Sequence, residues 1–430
     1  MSRSTLSTVL CAVLLTSVFA IPSAGATSVE SCRIKALAND TVSLGFPVAA
    51  ERLAHIAHPK VLVIPIRLSD QPNYAFVQSY KDNYRQVAEN ISVLSGGKST
   101  VEFVFNQPID MNFSTDDMIQ LARNQKTSFH NDLSKSTWGF VRRVIAEQDA
   151  SINFTGIDAV VLEGSSNKGF DYIGEAMMFS QNTMDLWHES IKTSEGTISN
   201  TVLLDRHPPT SVITHELLHL YGLTDLYGGN SGPGQLSLMD GQNIKLLAYE
   251  KWILGWLPDE SVTCITPSLD NSISKVTFDY SKGDKLAVIQ PSNGIPYIAE
   301  TSELYGNNYF AFFSLNLTAH PPINLFQETI DGHHDGVRIS NYSVIGSKLS
   351  GTDFSVVISN WSTSSLTINV YKTSSESSSA VKQLFTAAMQ AKNFAFQALQ
   401  IKQTITCVRG KLIKRVTAVK PVCPSGYVKK

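Results

Sequence analysis

The sequence predicts an α/β (or α+β) layered domain, followed by a β-rich, sandwich-like domain and a small disulfide-clipped tail. Three observations lead there. Short β-branched apolar runs alternate with helix-spaced segments between positions 60 and 162, the texture of a layered α/β domain. From Ser272 to Tyr371 short strands are instead broken by Gly, Asn, Pro and Ser turns, as in a β-sandwich. Beyond an almost pure Ser/Thr stretch from Thr373 to Ser379, the chain closes with a basic, Cys-containing segment.

Taken in order, residues 1–26 combine Arg3, an apolar run from Val9 to Ile21 and an Ala24-Gly25-Ala26 site. They read as a cleaved signal peptide. The run is too short for a membrane span, and no later stretch reaches the roughly 20 apolar residues a spanning helix needs. The chain is therefore expected to be exported, secreted or extracellular, with no transmembrane segment after signal removal.

Residues 27–258 form the expected first domain. Lys60 to Ile66 is a buried strand by its β-branched content, and Pro65 predicts an edge or a bulge at its end. A helical pattern from Phe76 to Val93 closes at Gly96-Gly97, and Val101, Phe103 and Phe105 alternate as a half-buried strand does. A second helix is predicted from Ser136 to Gln148 and a further strand from Ile157 to Leu162. Residues 259–372 are the β-rich domain, with strands such as Lys285 to Gln290 and Phe354 to Ser359. Residues 373–402 read as a Ser/Ala-rich linker helix with Val381, Leu384, Phe385, Ala388, Ala395 and Leu399 at helical spacing. Residues 403–430 carry seven Lys or Arg and no acid.

The formal net charge is −2, so no global field favours nucleic acid as a partner. Cys11 leaves with the signal, and Cys32, Cys264, Cys407 and Cys423 remain. An even number in an exported chain predicts two disulfides. Cys407 pairs most simply with Cys423 inside one short module, which leaves Cys32 for Cys264. The rival is a free Cys32 thiolate capping a metal in a zymogen.

The chemistry concentrates between Val202 and Asp225. Pro208 and Pro209, with Thr210 and Ser211 as N-caps, start a helix that Gly222 ends. His215 and His219 are four apart, so both imidazoles project from one helix face and can meet one ion. Glu216, one position beyond the first histidine, is displaced around the helix, where it can act on water rather than bind the metal. Tetrahedral catalytic zinc wants a third protein ligand and one open position. Gly222 can take the left-handed turn that swings Asp225 back as that ligand. A bare His-Glu-x-x-His arises by chance in on the order of one in a hundred chains of this length, so Gly222 and Asp225 carry much of the distinction.

Downstream, Ser237-Leu238-Met239-Asp240-Gly241 reads as a tight turn presenting Met239, and Thr201 to Leu204 as the strand beside the cleft, able to hold a peptide by its main chain. Glu250 is a competing third ligand, although that arrangement would not need the Gly222 turn. His333-His334-Asp335 is more simply a polar loop, and His188-Glu189 lacks a partner four residues on. His207 reads as a loop residue. Tyr221, Tyr227 and Tyr249 are each possible oxyanion donors.

These residues resemble the immune inhibitor A family of secreted bacterial metallopeptidases. The family pattern His-Glu-x-x-His-x-x-Gly-x-x-Asp followed by Leu-Tyr is met by His215 to Tyr227, the Met-containing turn by Leu238-Met239-Asp240, and a Lys-Trp…Gly-Trp segment by Lys251-Trp252 and Gly255-Trp256. The likeness runs from about Val61 to Leu257. It implies a zincin-like, metzincin-type fold and a zinc-dependent endopeptidase, with His215, His219 and Asp225 binding one catalytic zinc and Glu216 as general base. Protein or peptide substrates follow from that reading. Calcium leaves no readable motif. The Ser/Ala-rich helix and the Cys407–Cys423 basic module resemble carboxy-terminal modules of exported actinobacterial proteins, which implies contact with the cell envelope. Two other functions share these residues: a surface-binding protein with a weak or relic metal site, and a zinc amidase acting on cell-wall amides.

Overall fold

The computed structural model describes residues 28–430 apart from 129–135, 167–173, 181–188, 228–231, 268–271, 293, 305–306, 320–321, 326–336, 339–345, 347, 352, 363, 401–402 and 419–420. The signal at 1–26, His188 and the His333-His334-Asp335 run lie outside the described residues. Among those described, no helix is long and apolar enough to cross a membrane.

The first part runs β1 (Lys60–Arg67), α1 (Gln78–Leu94), β2 (Glu102–Phe105), β3 (Ile109–Asp110), α2 (Thr115–Ser128), α3 (Thr137–Gln148), β4 (Ala159–Glu163), β5 (Gly174–Met178), β6 (Ile191–Lys192), β7 (Thr197–Ile198), β8 (Asn200–Leu204), α4 (Thr210–Tyr221) and α5 (Ala248–Ile253). Its main sheet has the order β2-β1-β4-β8-β5, with β3 on β1. All pairs are parallel except β5, which runs antiparallel to β8 at the sheet's edge. Successive side chains point to opposite faces, which sorts the strands' apolar residues into two cores. Val61, Val63, Val161 and Val202 meet Tyr84, Val87, Leu217 and Leu218 of α1 and α4. Leu62, Ile64, Val160 and Leu203 meet Met118, Trp138, Val141 and Ile145 of α2 and α3.

Two expectations change here. β1 is a central strand, not an edge: β2 pairs as far as Val63↔Phe105 and β3 resumes at Ile66↔Ile109, so the break between them falls opposite Pro65, which has no N–H to donate. β8 is also interior, bonded to β4 on one side and β5 on the other. Its main chain is used, and the edge strand is Gly174–Met178 rather than Thr201 to Leu204.

The second part comprises β9 (Val262–Ile265), β10 (Ser274–Asp279), β11 (Leu286–Ile289), β12 (Tyr297–Leu304), β13 (Asn307–Leu315), β14 (Ile323–Leu325), β15 (Val337–Arg338), β16 (Lys348–Ser350), β17 (Phe354–Trp361) and β18 (Ser365–Lys372). Two sheets, β14-β13-β12-β11-β9 with β15 and β10-β18-β17-β16, share a core in which Ile289, Phe310 and Phe312 face Phe278, Val356 and Ile368. The other face of the larger sheet, with Val288, Ile298 and Phe313, belongs to the same cluster as α4, Tyr249 and Trp252. The β-rich part is thus packed into the first part's core. Cys32 bonds Cys264 across a separation of 232 residues, which rules out the free Cys32 thiolate, and Cys407 bonds Cys423.

α6 (Ser379–Gln400) does not begin as a free helix after a loose linker. The preceding Thr373–Ser375 makes a short 3-10 turn with Ser375 buried. Val381, Leu384 and Phe385 then pack on Val357 and Tyr371, because this apolar stripe has a sheet face to cover. The chain closes with β19 (Gln403–Arg409), β20 (Leu412–Ala418) and β21 (Val428–Lys429). Asn90 of α1 donates its amide to Thr214 Oγ1 of α4 at 3.1 Å.

Candidate metal centre

α4 begins after Pro209, whose backbone is extended and whose side chain offers no cap; Thr210 and Ser211 lie in the first turn instead of capping it. Seven residues of the helix from Thr214 onward are buried, His219 and Glu216 among them. Gly222 ends it with φ +116. Its N–H donates to His219 O, and Leu223 N–H donates to Leu218 O, the paired closure that a left-handed residue allows. A Cβ at Gly222 would stand 2.6 Å from Val48 Cγ1. Ser43 N–H also donates to Gly222 O, so the N-terminal segment straps the turn down.

That turn organises the site. His219 Nδ1 lies 2.7 Å from Leu223 O, and His215 Nδ1 lies 2.8 Å from Leu238 O. Carbonyl oxygens only accept, so each Nδ1 carries the proton and each Nε2 presents a lone pair. The two Nε2 atoms sit 3.1 and 3.2 Å from Asp225 Oδ1. Three ligand atoms within 4.8 Å of one another therefore converge, and Asp225 Oδ1 is buried without a hydrogen-bond donor. A proton on one imidazole would satisfy one of these contacts, whereas a divalent cation satisfies all three. Two imidazoles and a carboxylate are a donor set that suits zinc. Burial alone would raise the Asp225 carboxyl, whereas protonated His215 and His219 imidazoles would hold it well below the usual carboxylate range, so cations at this point favour the carboxylate.

Glu216 is 8 % exposed. Burial pushes its carboxyl up against the opposing pull of His219 and His215, and Ala176 N–H of β5 donates to it. Gly174 is where β5 passes over this side chain: a Cβ there would meet Glu216 Oε1 at 2.9 Å. Of the three tyrosines, Tyr221 is buried with its hydroxyl on Ser99 Oγ at 2.6 Å, and Tyr249 is buried with its hydroxyl donating to Leu44 O at 3.1 Å. Tyr227 alone is half exposed at the site, its ring 6.2 Å from that of His215. Burial and the Asp225 and Glu216 carboxylates keep its phenol protonated well above the usual range.

The Ser237–Gly241 turn is tight: Asp240 and Gly241 N–H both donate to Ser237 O. Met239 is fully buried, and its carbonyl accepts Leu226 N–H beside Asp225. Glu250 is turned to this turn and not to the metal cluster. It accepts from Ser237 Oγ at 2.9 Å and from Leu247 N–H at 2.7 Å. Sequence reasoning missed this role, and it also missed Glu300 of β12, which accepts from Ala248 and Tyr249 N–H at the start of α5. His207 is no simple loop residue. Its Nδ1 faces Glu163 Oε1 at 3.1 Å, its Nε2 accepts from Asn83 Nδ2, and its ring stacks on Tyr80. Tyr84 donates to the same Glu163 at 2.6 Å, so α1 and the entry to α4 are tied together. Only the Glu of the Val-Val-Leu-Glu strand end, a charge on an otherwise buried run, hinted at this.

The chain matches no protein-family model and no curated protein.

Proposed function

We propose that the protein is a zinc-dependent hydrolase. More particularly, we read it as an exported endopeptidase, zincin-like in its first domain and akin to the immune inhibitor A peptidases that its motifs resemble. The observation that carries this reading is the convergence of two imidazole lone pairs and the donor-less Asp225 oxygen beside the buried Glu216.

His215, His219 and Asp225 would hold the ion. Zinc, when bound, supplies a Lewis acid that polarises a carbonyl and makes water acidic near neutral pH. Glu216 takes the proton from the attacking water and delivers it to the leaving amine, and its burial raises its basicity toward that task. Tyr227, protonated and half exposed with its ring 6.2 Å from that of His215, is the candidate oxyanion donor of the three tyrosines. β5 favours an extended peptide over a small amide. It pairs only with β8 among the described residues, so its outer edge, apart from the Ala176 N–H that Glu216 accepts, fits a substrate strand beside Glu216.

Incubating the purified chain with a peptide library, with and without a chelator, tests the reading. Internal cleavage that the chelator abolishes is expected. Hydrolysis of small cell-wall amides alone would favour the amidase, and binding without any turnover would favour the relic site.

A further inference from the structure

The C-terminal sheet, in the order β20-β19-β21, carries charge that the metal centre does not use. Residues 403–430 contain seven Lys or Arg and no Asp or Glu. With the whole chain at −2, this field is local to the tail. The sheet is clipped by Cys407–Cys423, and Ile405 and Cys407 are its buried residues among those described. In β20 both alternating faces are open: Leu412, Ile413, Lys414 and Arg415 are all exposed. Leu412 and Ile413, 61 % and 64 % exposed, follow the Gly410-Lys411 hairpin turn and sit directly between Lys411 and Lys414. Val422 and Val428 are 77 % and 67 % exposed. Lys414 also lies over the Tyr427 ring at 4.9 Å, which leaves its ammonium at the surface.

We propose that the tip of the β19–β20 hairpin docks end-on on an anionic lipid bilayer, with Leu412 and Ile413, one on each face of the tip, entering the headgroup–acyl boundary and Lys411, Lys414 and Arg415 on the phosphates. Charge complementarity selects an anionic partner, since each cation near such a surface adds to binding. The aliphatic residues select lipid among the anions. A soluble polyanion would engage the cations and leave Leu412 and Ile413 in water, whereas a bilayer removes their apolar surface from water while long basic side chains stay at the headgroups. This goes beyond the catalytic reading and does not depend on it.

The test is co-sedimentation of the full chain, carrying Glu216→Gln to prevent self-cleavage, with vesicles of phosphatidylcholine alone or mixed equally with phosphatidylglycerol. Binding is expected to the mixed vesicles only, and it falls at high salt. The K411Q/K414Q/R415Q variant should bind on the order of a hundredfold more weakly, and L412S/I413S about tenfold more weakly. All five side chains substituted in the tail are exposed, and a thermal transition unchanged from that of the Glu216→Gln parent checks the fold. Equal sedimentation with neutral vesicles would overturn the proposal. So would wild-type binding by L412S/I413S together with full competition by soluble polyphosphate.

Discussion

Glu250 accepts a hydrogen bond from Ser237 Oγ at 2.9 Å, and this contact joins the candidate metal cluster to the β-rich part of the chain. Ser237 Oγ in turn accepts from Met239 N–H, which fixes the turn whose Leu238 carbonyl holds His215 Nδ1. On the other side, Glu300 of β12 anchors the first N–H groups of α5, the helix that carries Glu250. The β-rich part therefore buttresses a candidate ligand through its partners.

Ser237→Ala should weaken zinc binding by about 10–100-fold, the usual cost of losing a group that orients a ligand. It leaves Glu250 with one donor fewer and frees the Met239 turn. Competition with a calibrated chelator measures this. Zinc affinity equal to wild type would show that the turn needs no such support.

Gly222→Ala should destabilise the fold by about 1–3 kcal/mol, because φ +116 is strained for any other residue and the new Cβ meets Val48. Adding Val48→Ala relieves the contact but not the dihedral. Thermal unfolding of the single and double variants is expected to show partial recovery only.

Burial pushes Glu300 up to about 8 from 4.5, against the pull of two backbone N–H donors. The folded chain thus binds this proton more tightly than the unfolded one. The stabilising contribution is complete below about pH 4.5 and is lost as pH rises through about 8. Urea unfolding at mildly acidic and at alkaline pH should show the wild type losing more stability with rising pH than Glu300→Gln does. Identical slopes for the two proteins would exclude Glu300 as the source.

The candidate metal cluster is legible in sequence because its three residues lie on one helix and the turn that closes it, where spacing alone sets geometry. The helices and most strands are legible for the same reason: their periods are local. Strand order is not, since no local signal tells Thr201–Leu204 that Gly174–Met178 will pair outside it. Pro65 signalled an edge or a bulge, and only the point where β2 stops decides against the edge and in favour of the register shift between Val63↔Phe105 and Ile66↔Ile109. The Glu163–His207 contact, 44 residues apart, and the Glu300–Tyr249 contact, 51 apart, are likewise products of tertiary packing. So is the burial of Tyr221 and Tyr249, which separates them from Tyr227.

The central claim is tested most directly by metal content and turnover measured together on wild type, Glu216→Gln and Asp225→Ala. The wild type should carry one zinc per chain and cleave peptides. Glu216→Gln should keep its zinc while losing about 10²–10⁴-fold in turnover, the range for removing a general base. Asp225→Ala should lose both, because only two imidazoles remain to hold the ion. A wild type free of zinc, or a Glu216→Gln variant that cleaves normally, would contradict the account.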